Sequence, residues 1–135
     1  MKSIFALLIL LNSIGSMALP TDSTGYIYQH RMEYLGRNFK IDLNYQYLLE
    51  QLVEILNNDN ELMIHIRGHV CCGPQQRLSK RRAKQVYKYL KREGINTNRM
   101  TFAGYSDKVP FIFPEKTKED EQKNRRVDFV LYKFE

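Results

Sequence analysis

Leu48, Leu49, Leu52, Val53 and Leu56 recur at helical spacings, with Glu50, Gln51 and Glu54 between them. That spacing predicts an amphipathic helix with one buried face. Asp42 stands ahead of it as a capping residue, and Asn57-Asn58-Asp59-Asn60 stops it. Leu62, Ile64 and Ile66 then alternate with Met63, His65 and Arg67, which predicts a half-buried strand ending at Gly68. On that alternation His65 faces solvent. Cys72-Gly73-Pro74 breaks the chain, and Ser79 is the expected cap of a second helix. Its inner face is Ala83, Val86, Tyr87 and Leu90; Lys80, Arg81, Lys84, Lys88, Lys91 and Arg92 lie mostly outside. Gly94 suits the end of that helix, with Ile95 packing back. A short strand is expected over Arg99–Gly104, a loop with two prolines over Asp107–Pro114, and one or two helical turns over Thr117–Lys123. Val127, Phe129 and Leu131 alternate with Asp128, Val130 and Tyr132 in a last strand. Upstream, Leu19–Gly25 reads as a flexible lead-in. Tyr26–Tyr34 and Asn38–Ile41 are rival candidates for a first strand. The order β-α-β-α-β-(α)-β predicts an α/β (α+β) two-layer sandwich: a mixed four-stranded sheet with two main helices on one face.

The beginning of the chain follows a different pattern. Lys2 is followed by a nearly unbroken apolar run, Ile4 to Leu11, and then by Ser16-Met17-Ala18. This has the form of a secretory signal peptide cut after Ala18, giving a leader over residues 1–18 and an N-terminal segment over residues 19–38. The apolar run breaks at Asn12 and Ser13, short of the ~20 residues a spanning helix needs. No later stretch is long enough either, so no transmembrane segment is expected in the exported chain. No cysteine follows the leader to carry a lipid.

The 21 Lys and Arg against 15 Asp and Glu give a net charge of +6, an excess that suits an anionic partner. Cell-wall polymer, membrane surface and nucleic acid all qualify, and export argues against nucleic acid. Cys71 and Cys72 are adjacent, so they cannot staple distant segments of one chain. They can form a vicinal ring, stay free, or bridge two molecules.

Three blocks stand in fixed order: Gly68-His69-Val70-Cys71-Cys72, Leu78-Ser79-Lys80-Arg81-Arg82-Ala83 and Asn124-Arg125-Arg126-Val127. Tyr89-Leu90-Lys91-Arg92-Glu93-Gly94-Ile95 lies between the second and third. The set resembles the OmpA-like peptidoglycan-binding domain, whose pattern reads G-H-T-D, L-S-x-x-R-A, Y-L-x-x-x-G-I and N-R-R-V. The resemblance covers Phe39 to Phe134, and residues 39–135 are taken as the domain. It implies noncovalent binding of the diamino acid of a peptidoglycan stem peptide, in the periplasm or at the outer membrane. The partner is peptidoglycan, with an envelope protein as a further one; no nucleic acid, cofactor, metal or catalysis is implied.

By the same resemblance Arg82 takes a ligand carboxylate, a task suited to a planar fork of donors. His69, Gln75, Asn124 and Arg126 would complete the pocket. Cys71 stands where the family has the Asp that takes the ligand's ammonium. A neutral thiol cannot do so, and losing a hydrogen bond to a charged group costs about 1.5–3 kcal/mol. The loop from Gly68 to Leu78 is also shorter than usual. Four alternatives stay open: weakened binding or a different wall group, an ionised Cys71, a nearby carboxylate such as Asp107 or Asp120, or a scaffold that keeps the fold and contacts protein without wall binding. His69, Cys71 and Cys72 offer three ligands to a metal with no evident fourth, and a thiol-redox role for the cysteine pair is a further possibility. No catalytic constellation or phosphate-binding loop is present.

Overall fold

A computed structural model describes residues 23–134. The expected leader lies outside the described residues. The chain runs β1 (Ser23–Ile27), β2 (Met32–Glu33), α1 (Gln46–Asn58), β3 (Met63–Gly68), α2 (Gln76–Arg92), β4 (Met100–Gly104), α3 (Lys118–Asn124) and β5 (Arg126–Phe134). Single 3-10 turns at Leu43–Tyr45 and Thr97–Arg99 lead into α1 and β4.

The strands form one mixed sheet of five, ordered β1-β5-β3-β4, with β2 also paired to β5. β1, β2 and β3 run antiparallel to β5, and β4 runs parallel to β3. Parallel neighbours need a long crossover, and α2 supplies it. In register, Ile64 sits between Leu131 and Met100, and Ile66 between Phe129 and Phe102. These inward side chains meet Leu49, Leu52 and Leu56 of α1 and Ala83, Val86 and Leu90 of α2 in one core. The two-layer α/β architecture expected from the periodicities is therefore present.

Some local expectations are corrected. The sheet has five strands rather than four, because the segment before α1 contributes two short ones. β1 already begins at Ser23, inside the stretch read as a flexible lead-in. Asn38–Ile41 is not a strand. Its apolar alternation loses to turn chemistry, since Asn38 Oδ1 accepts from the Lys40 amide at 3.0 Å. Asp42 caps the 3-10 turn ahead of α1 rather than α1 itself, its carboxylate accepting from the Asn44 amide at 2.8 Å. Gly94 (φ +93°) closes α2: its amide donates to Lys91 O and the Ile95 amide to Leu90 O, both 3.1 Å. Arg99 holds the far end of α1, donating to the carbonyls of Leu56, Asp59 and Leu62 at 2.6, 2.7 and 3.0 Å.

Ser79 is not the cap of α2, which starts three residues earlier at Gln76. Its fully buried hydroxyl donates to Gln76 O at 2.8 Å and accepts from the Ser106 amide at 3.0 Å. Ser106 Oγ in turn accepts from the Gln75 amide at 2.8 Å. The start of α2 is thus stitched to the exit of β4 by two serines, and this holds the loop beyond β3 in place.

Candidate functional site

β3 ends at Gly68, where α2 crosses so closely that a Cβ would meet the Ser79 carbonyl. The chain then turns through Cys72 (φ +69°) and Gly73 (φ +120°) before entering α2. The adjacent cysteines form a disulfide with each other. In this form neither carries a thiol proton or a thiolate. Among the described residues, no group of three or more His, Cys, Asp or Glu side chains is placed to hold a metal ion.

A cleft of about 160 Å³ opens above this ring, lined by Gly36, Arg37, Val70, Cys71, Cys72, Gln75, Leu78 and Arg125. Of the residues expected at the site, Cys71 and Gln75 line it. Gln75 Oε1 is buried there without a hydrogen-bond partner. Arg125, from the Asn124–Val127 block, also lines it, and Arg37 is an addition that the motifs did not indicate. Arg37 arrives from the turn after β2, and Arg125 from the junction of α3 and β5. Arg125 Nη2 lies 3.9 Å from Cys72 Sγ and 3.7 Å from the Glu121 carboxylate.

Arg82 lies beneath the cleft and is fully buried. It donates from Nε to Asn38 O (2.8 Å), from Nη1 to His69 O (2.9 Å) and from Nη2 to Gly36 O (2.7 Å), and stacks 4.9 Å from the Tyr34 ring. Three of its five donors therefore go to main-chain carbonyls, of which that of Gly36 belongs to a residue of the cleft lining. No carboxylate pairs with it among the described residues. Burial pulls its pKa down to about 10, with Tyr34 opposing and Arg125 assisting, so it is cationic at neutral pH.

The remaining expected site residues are buried in the framework around the cleft. Asn124 accepts through Oδ1 from the amides of Phe111 and Ile112 (2.7 and 2.8 Å). Its Nδ2 donates to Ile112 O at 2.8 Å and to Glu115 Oε1 at 2.7 Å. Both faces of that amide are thereby committed. Arg126 donates to Asp128 Oδ2 at 3.2 Å and to Val109 O at 3.0 Å. Neither carboxylate named from sequence reaches the cleft wall. Asp120 accepts from the Lys116 and Thr117 amides at the start of α3, and Asp107 Oδ1 lies 3.4 Å from Ser106 Oγ.

His69 is 1% exposed, its Nε2 3.2 Å from Asp128 Oδ2 and its ring stacked 5.6 Å from Tyr105. Asp128 is also held by Arg67, at 2.5 and 2.9 Å. The expectation of a solvated His65 is corrected. Its ring nitrogens meet Thr101 Oγ1 at 2.6 Å and Tyr105 Oη at 2.7 Å, because β4 and the residue after it cover that face.

Burial outweighs Asp128 and drives the His69 pKa down from 6.5 to about 4. The unfolded chain then binds a proton that the fold refuses between those two values, so stability rises with pH across that window and falls on acidification. Across that window the difference amounts to roughly 3 kcal/mol. His65 is shifted in the same direction by burial. Unfolding free energies of the wild type are expected to drop between pH 7 and 4.5, and those of His69→Gln to drop much less. Equal losses in both proteins would remove His69 as the source.

The fold and cleft define a small α/β domain with a cationic pocket at the exit of a central strand. The chain belongs to the OmpA family, whose model matches residues 36–125. Among solved structures, it is similar to the peptidoglycan-associated lipoprotein from Burkholderia pseudomallei (TM-score 0.70, 20% identity, 76% of this chain and 90% of that one). It is also similar to the C-terminal domain of Helicobacter pylori MotB (TM-score 0.69, 22% identity, 76% and 83%). A third likeness is to the cell wall anchor of the T6SS from Pseudomonas aeruginosa (TM-score 0.64, 22% identity, 74% of each). At these identities the likeness is one of fold. A search of curated proteins finds no match.

Proposed function

We propose that this domain binds peptidoglycan noncovalently in the cell envelope, seating an acidic group of the stem peptide in the cleft above the Cys71–Cys72 ring. The observation that carries this reading is electrostatic. Arg82 is a buried cation with no carboxylate partner among the described residues, and Arg37 and Arg125 stand at the cleft above it. A cation left without a counter-charge in a poorly solvated place favours an incoming anion. Family membership points to the same partner, as do the wall-associated proteins with this fold. In this scheme Arg125 and Arg37 meet the carboxylate. Arg82 acts from beneath by its charge and by fixing the carbonyls of Gly36, Asn38 and His69. The protein is a binding module rather than a catalyst. With its leader it would be exported to the periplasm or the outer membrane, where an envelope protein would hold the other end of any tether.

One observation favours a second reading, a scaffold that contacts protein without wall binding: the neutral disulfide occupies the position of the family's Asp. Sedimentation with purified peptidoglycan separates the two. The wild type should co-sediment, and Arg125→Ala should bind about ten- to a hundredfold more weakly, the usual effect of losing a charged hydrogen bond. Equal retention of both proteins would rule out the cleft as the binding site, and no retention of either would favour the scaffold.

A further inference from the structure

Resting on the wall-binding reading above, we propose that Glu115 supplies the negative pole of this site and accepts the ammonium group of a zwitterionic ligand end. The Glu115 Oε1 atom lies 4.0 Å from Cys71 Sγ. A disulfide sulfur has no proton to donate, so this is a juxtaposition of a carboxylate with a neutral ring. The carboxylate is held in place from behind, since Oε1 accepts from Nδ2 of the fully buried Asn124 at 2.7 Å. Asn124 also fixes the main chain at Phe111 and Ile112, so the segment that carries Glu115 is tied to the junction that carries Arg125.

Other carboxylates near the site are already engaged. Asp128 is buried against Arg67 and Arg126, and Glu121 lies beside Arg125 and Lys118. Asp120 closes the capping box of α3 with Thr117. Glu115 is exposed and has no salt-bridge partner among the described residues.

The spacing suits a zwitterion. Arg125 Nη2 and Glu115 Oε1 flank the two ends of the disulfide, at 3.9 and 4.0 Å. With about 2 Å for the S–S bond, the two charges are no more than about 10 Å apart. An amino-acid end has its ammonium and carboxylate roughly 3 Å apart; with a charge-assisted hydrogen bond of about 2.8 Å at each pole it spans about 9 Å. Gln75 Oε1, buried without a partner, adds a neutral acceptor in the cleft. The ring itself contributes an apolar floor. The ligand class is therefore a diamino acid whose side chain ends in a free ammonium and a carboxylate on the same carbon.

Calorimetric titration of the full chain with two probes tests this: a stem peptide with a free side-chain amine on its diamino acid, and the same peptide with that amine acetylated. The wild type should prefer the free amine about ten- to a hundredfold. Glu115→Gln keeps an oxygen for Asn124 to donate to. It should lose the preference and bind both probes at the wild type's level for the acetylated one. Arg125→Ala should weaken both probes alike. If Glu115→Gln keeps the full preference, or the wild type shows none, Glu115 is not the acceptor while wall binding stands. If the wild type binds neither probe, the wall-binding reading fails and the role of Glu115 with it.

Discussion

Arg82→Ala is expected to lower unfolding free energy by on the order of 4 kcal/mol, a large share of the 5–15 kcal/mol that holds a domain of this size. The guanidinium donates to three main-chain carbonyls, from Gly36, Asn38 and His69. Each is a hydrogen bond from a charged donor, worth about 1.5–3 kcal/mol alone, and the three are not additive. Truncation also leaves a void under the cleft. Arg82→Met keeps most of the volume and should lose nearly as much, because the carbonyls would still lack donors. Urea titration of the three proteins measures this. A loss below about 1 kcal/mol for the alanine variant would mean that the buried geometry is not maintained in solution. The same expectation decides how binding is tested. Weak wall binding by an Arg82 variant would report damage to the fold as readily as loss of a ligand contact. The arginines at the cleft wall, Arg37 and Arg125, give the cleaner comparison.

Gly68→Ala should be as damaging for a different reason. A Cβ at this position would land on the carbonyl of Ser79 and 3.2 Å from the Ala83 amide nitrogen, both main-chain atoms of α2. Main chain cannot rotate aside, so α2 must lift from β3 and pull Ala83 and Val86 out of the core. Overpacking of this kind costs about 3 kcal/mol or more. Gly36→Ala is the contrast. Nothing lies within 4 Å of the added atom, and the only penalty is its left-handed backbone at φ +51°, about 1 kcal/mol. Thermal unfolding of the two variants should separate widely. Similar midpoints would contradict the close crossing of α2 over β3.

That crossing marks the division between what periodicity reveals and what it leaves hidden. The faces of α1 and α2 and the inner rows of β3 and β5 were legible because each is an apolar stripe at fixed spacing. β1 and β2 were not resolved as separate strands. Each is short and pairs only with β5, so its identity comes from a remote partner rather than its own sequence. Ser79 resembled a cap because serine favours that position before an apolar-periodic run, while the serine that meets the Gln75 amide is thirty-one residues away.

The site divided along the same line. The motif marked Cys71 and Gln75, which line the cleft. It also contained Arg125, inside the Asn124–Val127 block, but it could not indicate Arg37 or Glu115, because their positions depend on where separate loops converge. The burial of Arg82 did leave a local trace. It falls on the same helical stripe as Ser79, Ala83, Val86 and Leu90, all buried. The seven other bases of that helix masked it, since charge by itself reads as solvent-facing. The disulfide was one of three options that adjacency allowed, and local sequence does not choose among them.

The most direct test of the central claim is a two-dimensional NMR titration of the labelled full chain with the free-amine stem peptide. The expected result is saturable shifts confined to Gly36 and Arg37, the segment from Val70 to Leu78, Glu115 and Arg125. Shifts centred on the exposed lysines of α2, or none at millimolar peptide, would contradict a ligand cleft over the Cys71–Cys72 ring.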